Sequence, residues 1–341
     1  MKVIELRSDT KTLPTEEMRR AMYEAEVGDD AAREDPTVNR LEELTAQIMD
    51  KEAALLTSSG MMANLIAVLT HTHRGDEVLV GSQAHMYEME RGAPTLAGTI
   101  MRPIPNEPNG QIALNTIDGT IRAKNAAYRS STLFCLENTH NSCSGAALTP
   151  DYTAAAAEIT HRYGLQVHID GARIFNAAVA LNLPVSELAR PADSICFCLS
   201  KGLSCPVGSI LCGTNEFVER ARRWRQILGG QLRQAGHIAA AGIIALQTMV
   251  NRLAEDHATA RQLAFGLANI PGVVIQPEMI QTNIVHFRPP SQVSSADFIR
   301  KMDAQNVRMG GAARIRAVTN RMVTAADIDD ALNRIELILK G

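Results

Sequence analysis

Two residues in the middle of the chain have types and settings that could do chemistry. Val-His-Ile-Asp-Gly-Ala-Arg (167–173) is an apolar run closing on an acid, a glycine and a base. Ile-Cys-Phe-Cys-Leu-Ser-Lys-Gly (195–202) is a second, closing on a lysine beside a glycine. Short apolar runs of this kind read as buried parallel strands with polar ends at the carboxyl edge of a sheet. That edge is where open α/β sheets bind ligands. Asp170 and Lys201 then end two strands and face one crevice. A lysine amine can form a Schiff base with an aldehyde, and an aspartate can pair with a pyridinium nitrogen and keep the ring electron-withdrawing; this is the chemistry of pyridoxal phosphate. The same pair is also compatible with a buried Asp–Lys ion pair, or with two unrelated strand ends. The rest of the chain has to decide.

The elements that would position this pair follow from periodicity and punctuation. Residues 1–16 form a polar arm interrupted by Pro14, after which Thr15 would cap a helix running to about Glu26. A charged loop, Val27 to Asn39, shows no core pattern and is read as functional or as a subunit contact. Ala53 to Leu56 reads as a strand, followed by Thr-Ser-Ser-Gly-Met-Met-Ala-Asn (57–64) and a helical stretch to His71. Strand, Ser/Gly turn and helix together leave free N–H groups at a helix start, a geometry that suits phosphate. A simple cap has the same sequence. Glu77 to Val80, Ile100 to Ile104 and Leu133 to Leu136 read as further strands, His85 following the first and Glu-Asn-Thr-His-Asn (137–141) the last. Met86 to Leu96 reads as one amphipathic stretch, Ser209 to Cys212 as a strand, and Arg220 to Arg225 as a basic helix. Gly-Gly-Gln-Leu-Arg-Gln-Ala-Gly (229–236) follows, then a long helical stretch from Ile238 to about Ala268. Beyond Pro271, strand patterns at 273–275, 283–287 and 313–318 alternate with helices at 296–305 and 325–339.

The bulk properties bound the function classes. A chain of 341 residues, 45% hydrophobic with a net charge of −3, can bury a large core and is long enough for two domains. Its near-neutral charge and lack of basic runs give no reason to expect nucleic acid. Charges at the amino terminus stand where a signal peptide needs an apolar core, and Ile238 to Val250 is too short to span a bilayer. The six cysteines form no Cys-x-x-Cys pair and read as reduced core residues of a cytoplasmic protein, with no metal site.

Read together, the pieces resemble the low-specificity L-threonine aldolases, in the β-eliminating lyase group of fold-type I pyridoxal-phosphate enzymes. The matching segments are Leu-Arg-Ser-Asp-Thr (6–10), Val-Gly-Asp-Asp (27–30), Glu-Asp-Pro-Thr-Val-Asn (34–39) and Lys-Glu-Ala-Ala-Leu (51–55). They continue with Ser-Gly (59–60), Met-Ala-Asn (62–64), Leu-Glu-Asn-Thr-His-Asn (136–141), His-Ile-Asp-Gly-Ala-Arg (168–173) and Ser-Lys-Gly-Leu (200–203). Late matches are Gly-Gly-x-Leu-Arg-Gln (229–234), Gln-Thr-Asn-Ile-Val (281–285) and Arg-Ile-Arg-x-Val-Thr (314–319).

The resemblance implies an α/β, fold-type I PLP-dependent transferase-like chain. Its parts would be an N-terminal arm (1–16), a large domain (17–245) with a mostly parallel sheet flanked by helices, and a small C-terminal α/β domain (246–341). It implies cleavage of L-threonine, L-allo-threonine and other β-hydroxy-α-amino acids to glycine and an aldehyde, with pyridoxal 5'-phosphate on Lys201 and its pyridinium held by Asp170. Arg173 would lie near the cofactor's phenolic oxygen and the substrate carboxylate, and His85 would stack on the ring; with Ala127 and Ala32 where family members offer polar groups, the base is His85 or an ordered water. Ser59, Gly60 and Met61 would cradle the phosphate, Ser8 and Arg316 would bind the carboxylate, and Arg233 would reach a neighbouring subunit's phosphate in a homotetramer of close dimers. The alternatives are β-elimination from a related amino acid, or a catalytically silent homologue serving as a subunit. The chain also departs from the family. Ala31, Ala32 and Arg33 replace Val-Tyr-Gly, Met61 replaces a threonine, Asn320 a histidine, and Ala127 stands where a histidine is expected.

Overall fold

Seven apolar segments become the strands of one sheet. The computed structural model describes residues 2–121 and 130–340, and the helix or strand pattern is organised around β2 (Ala53–Thr57), β3 (Glu77–Gly81), β4 (Ile100–Ile104), β5 (Ser131–Glu137), β6 (Gln166–Asp170), β7 (Ser194–Cys198) and β8 (Ser209–Gly213). They are ordered β2-β8-β7-β6-β5-β3-β4. Every neighbour pair is parallel except the two that involve β8. The reversal has a simple cause. Residues 199–208 are too few to carry a crossover helix, so the chain must return alongside β7. Both sheet faces are covered, as continuous apolar strands require. Ile195, Phe197 and Ile210 pack on one side, and Cys196 and Leu211 on the other.

Since β2, β3, β5, β6 and β7 run the same way, their carboxyl ends line one edge. Lys201 follows β7, Asp170 ends β6, Glu137 ends β5 and His85 follows β3. From β2 the chain turns into α3 (Gly60–His71) at that same edge. Helices α1 (Glu16–Glu24) and α2 (Pro36–Met49) precede it, capped by Thr15 and Asp35. The expected amphipathic stretch after His85 is instead one turn, α4 (His85–Glu88), and a separate wide turn at Ala93–Ala97. Pro94 lacks the N–H that a continuous helix would need.

A second core gathers the C-terminal elements. Strands β9 (Ile284–Phe287), β11 (Gly310–Gly311) and β12 (Ile315–Val318) form an antiparallel sheet under helices Ser295–Ala304 and Ala325–Lys340. The first residues belong to this core and are no free arm. Ile4 and Leu6 are buried among Phe287, Phe298 and Ile335, and β1 (Ile4–Glu5) pairs in parallel with β10 (Val307–Arg308). The expected long helix is two, Gly236–Ile244 and Leu253–Ala268, joined by a wide turn at Ala245–Met249. The later helix carries Leu253 in the large core and Ala260, Leu263 and Leu267 in the small one. The strand expected at 273–275 reduces to a single bridge between Val274 and Arg288. No described helix is long and apolar enough to cross a membrane.

The charged loop from Val27 to Asn39 does have work within this chain. Asp35 accepts hydrogen bonds from the N–H groups of Gly28, Thr37, Val38 and Gly236, and Asp30 is ion-paired to the buried Arg225 at 2.9 Å. Its lack of an apolar pattern reflects this polar anchoring.

Candidate active site

The carboxyl edge of the sheet holds a cavity of about 290 Å³ lined by Ser8, His85, Asp170, Arg173, Lys201 and Arg316, with Glu137 and Asn141 in its wall. A cleft of about 490 Å³ lies alongside and shares Ser142, but it is lined by neither lysine nor carboxylate. The smaller cavity is the chemically equipped one.

Asp170 is almost wholly buried, and its carboxylate accepts from the Ala172 N–H at 3.1 Å and the Asn64 amide at 3.0 Å. Both donors are neutral. Lys201 is pinned through its backbone, its carbonyl accepting from the Thr12 hydroxyl at 2.9 Å, and its amine makes no ion pair among the described residues. Arg173 donates through Nε and Nη2 to the two oxygens of Asp9, each at 2.7 Å, and Asn283 also donates to Asp9 at 3.2 Å. Burial pushes the Asp9 carboxyl up, but Arg173 and, farther off, Lys201 outweigh it and hold it well below the usual carboxylate range.

Arg316, on β12, is treated differently. It donates to the Arg7 carbonyl at 3.1 Å and to Asn141 Oδ1 at 2.9 Å, while its Nε is buried without a partner. Burial first, and then Arg173 nearby, push its guanidinium down to about 10. Arg173 is neutralised by Asp9; Arg316 is a half-buried cation that makes no ion pair among the described residues. Ser8 caps the short turn Asp9–Lys11, its hydroxyl accepting from the Thr10 N–H at 3.3 Å.

His85 is held from two sides. Its backbone N–H donates to Glu137 at 2.6 Å, and its Nδ1 lies 2.8 Å from Glu90. The hydrogen bond that Nδ1–H donates to Glu90 raises the imidazole above its ordinary value, and burial raises Glu90. Sequence reasoning missed Glu90, Asp9, Asn64 and Glu137 as site residues. Asp9 and Glu137 lie inside segments already singled out, whereas nothing in the pattern marks Glu90.

The remaining expected residues are not in the cavity wall. Ser59 caps α3, its hydroxyl accepting from the Met62 N–H at 3.2 Å, so Gly60 and Met61 offer N–H groups at the helix start. Gly60 abuts the end of β7, since a Cβ there would lie 2.9 Å from Cys198 Sγ. The Met61 side chain is half-exposed and lines a neighbouring cavity of about 260 Å³. Arg233 is on the surface, paired at 3.0 Å with Asp29 of the 27–39 loop of the same chain. Ala31 and Ala32 lie in the turn Asp30–Ala32, away from the cavity, and Asn320 caps a turn by accepting from the Met322 N–H at 3.0 Å. Ala127 lies outside the described residues.

The charges left over describe a ligand. Among the described residues Asp170 lacks a paired cation, Lys201 an acid and Arg316 an anion, and the α3 start has free donors. A pyridinium N–H, an aldehyde, a carboxylate and a phosphate would satisfy them one for one, so the residues present fit pyridoxal phosphate with an amino acid. His85, Glu90 and Asp170 also form a group whose ligand atoms lie within 4.8 Å of one another, close enough to hold a metal ion, but these atoms already serve each other and Asn64.

Comparison with known proteins agrees with this chemistry. A family model described as beta-eliminating lyase matches residues 5–289. The chain is 40% identical over 341 residues to low-specificity L-threonine aldolase 1 of Arabidopsis thaliana, covering 98% of this chain and 95% of that protein. It is likewise 40% identical over 319 residues to the low specificity L-threonine aldolase of Escherichia coli strain K12, covering 93% and 94%. Among solved structures it superposes on a threonine aldolase of Leishmania major with a TM-score of 0.83 over 98% of both chains, at 16% identity, a likeness of fold.

Proposed function

The chain belongs to the beta-eliminating lyase family, among the low-specificity L-threonine aldolases, and from that premise we propose that it cleaves β-hydroxy-α-amino acids to glycine and an aldehyde. One observation carries the reading: Arg316 is a half-buried guanidinium whose Nε is buried without a partner and which makes no ion pair among the described residues, in the same cavity as a lysine and a buried aspartate that make none either. A retro-aldol site needs a carboxylate clamp, an amine to hold the cofactor and an acid to keep its ring nitrogen charged.

Pyridoxal phosphate, when bound, supplies an aldehyde carbon and an electron-withdrawing ring. Lys201 would bond it, Asp170 would pair with its pyridinium nitrogen, and the Ser59–Met61 helix start would take its phosphate. Arg316 and Ser8 bind the substrate carboxylate, which fixes rotation about the Cα bonds and so selects the bond to be broken. Arg173, already committed to Asp9, leaves the substrate carboxylate to Arg316 and Ser8. His85 is the base for the β-hydroxyl proton. Its Nδ1 is engaged by Glu90, which leaves Nε2 to accept the proton.

We further propose a homotetramer of close dimers with shared sites, in which Arg233 exchanges Asp29 for a neighbouring subunit's phosphate; its exposed position supports this. The six buried free cysteines support a cytoplasmic setting. The reaction is tested with L-threonine, L-allo-threonine and a β-phenyl analogue as substrates. Glycine with one equivalent of aldehyde is expected, and 2-oxo acid without glycine would show elimination in place of aldol cleavage.

A further inference from the structure

We propose that Glu90 is a positioning residue of this reaction: its hydrogen bond to Nδ1 sets the tautomer of His85 and turns Nε2 into the proton acceptor, while Asn64 ties the same carboxylate to Asp170. The inference rests on the aldol reading for its consequence, though not for its geometry.

The geometry begins with Asn64, buried on α3. Its amide nitrogen donates to Glu90 at 2.9 Å and to Asp170 at 3.0 Å, and its oxygen accepts from His168 Nε2 at 3.0 Å and from the Cys196 thiol at 3.0 Å. All four hydrogen-bonding positions of this side chain are used. A flipped amide would aim its oxygen at two carboxylates, so the orientation is determined. The tautomers beyond it are then determined too. His168 donates from Nε2, so its Nδ1 accepts from the Ser194 hydroxyl at 2.8 Å, and the Ser194 oxygen accepts from His71 Nε2 at 2.7 Å. Burial pushes His168 down to about 4, which keeps it neutral as this chain of bonds requires.

Asn64 therefore bridges two carboxylates with a neutral group. Glu90 is 8% exposed and Asp170 2%, too buried for solvent to balance them. Two cations can do so: a pyridinium opposite Asp170, and His85 opposite Glu90 once its Nε2 has taken the proton. Each carboxylate has its own partner, and Asn64 keeps the two partners in register. Nothing else in the cavity offers His85 a side-chain hydrogen bond among the described residues. The other charges facing it are Asp170, Glu137 and Glu88, with Lys201, Arg173 and Arg316 across the cavity.

A purely structural Glu90 would fill space and satisfy Asn64. Glu90→Gln keeps its size and an acceptor but removes the charge, and so separates the two roles. The imidazole resonance of His85 is followed against pH in the purified protein, assigned by its loss in His85→Gln, alongside the pH profile of kcat/KM. In E90Q the His85 titration and the acid limb of kcat/KM should both move to lower pH, by about one unit or more, with kcat reduced ~10-fold or more. Glu90 also lines the 260 Å³ cavity beside Met61 and Leu228, which gives a small anion a way in. Added formate should therefore restore the His85 titration and part of kcat in Glu90→Ala. If E90Q releases glycine with the wild-type acid limb and wild-type His85 titration, the proposal falls. Failure of formate to move either readout in a folded E90A also counts against it. If the wild type releases no glycine while the His85 resonance still moves in E90Q, the hold of Glu90 on His85 stands and the aldol reading is what fails.

Discussion

Replacing Asp9 by asparagine should cost far more stability than its place near the chain terminus implies. Asp9 and Arg173 are joined by two hydrogen bonds of 2.7 Å, and their side chains are 0% and 5% exposed. The asparagine would keep the shape and lose the charge. A guanidinium does not deprotonate in a protein, so Arg173 would remain charged beside Arg316 with only the more distant Glu137 to offset it. Removing one partner of a buried pair typically costs about 3–5 kcal/mol, because the stranded charge keeps its desolvation penalty. The same carboxylate accepts from Asn283 and lies one turn from the Thr12–Lys201 contact, so the N-terminal segment should loosen from both cores. The assay is urea unfolding of D9N, of Arg173→Met and of the double variant. The double variant should cost less than the sum of the singles by about 1–3 kcal/mol. The pH dependence has a definite sign. Because the Asp9 carboxyl is held low in the folded chain, its contribution is complete above the unfolded value of about 3.9 and is lost as pH falls toward the folded value. The gap between wild type and D9N should therefore be flat from about pH 6 to 8 and narrow only below about pH 4. A cost under about 1 kcal/mol, additivity with R173M, or a gap that changes between pH 6 and 8 would refute this reasoning.

Arg316→Ala should lower kcat/KM about 10²-fold, read mainly as a raised KM, since a charge-assisted carboxylate contact is worth about 1.5–3 kcal/mol; steady-state kinetics on L-allo-threonine checks it. Arg316→Lys should recover little, because a lysine cannot form the two-pronged contact. If the 27–39 loop completes a neighbouring subunit's site in the proposed tetramer, Ala32 in place of a tyrosine leaves room at Cβ there, so a β-phenyl substrate should release glycine faster than L-threonine, and the reverse order would count against it. Dilution to a monomer should abolish activity, which sedimentation at assay concentration can establish.

Much of the site was legible because strand ends announce themselves. Apolar runs closing on Asp170 and Lys201 place both at one edge without any knowledge of what lies between. The antiparallel β8 was not anticipated, although the short connection after Lys201 demands it. Asp9 and Glu90 were missed for a different reason. Asp9 meets Arg173 across 164 positions, and a polar contact of that range leaves no periodicity to read. Glu90 meets His85 because the helix stops after Glu88, where a continuous amphipathic helix was expected. Ile4 and Leu6 looked like isolated apolar residues in a polar arm until their core, built by residues 260–335, was in view.

The most direct measurement concerns Lys201, on which both the cofactor and the reaction depend. The purified protein, saturated with pyridoxal phosphate, is reduced with borohydride, digested, and its labelled peptide identified by mass. The label should lie on Lys201, and Lys201→Ala should show neither label nor visible absorbance nor glycine release. A label on any other lysine, or a Lys201→Ala protein that still forms glycine at the wild-type rate, would contradict the assignment of this cavity as the active site.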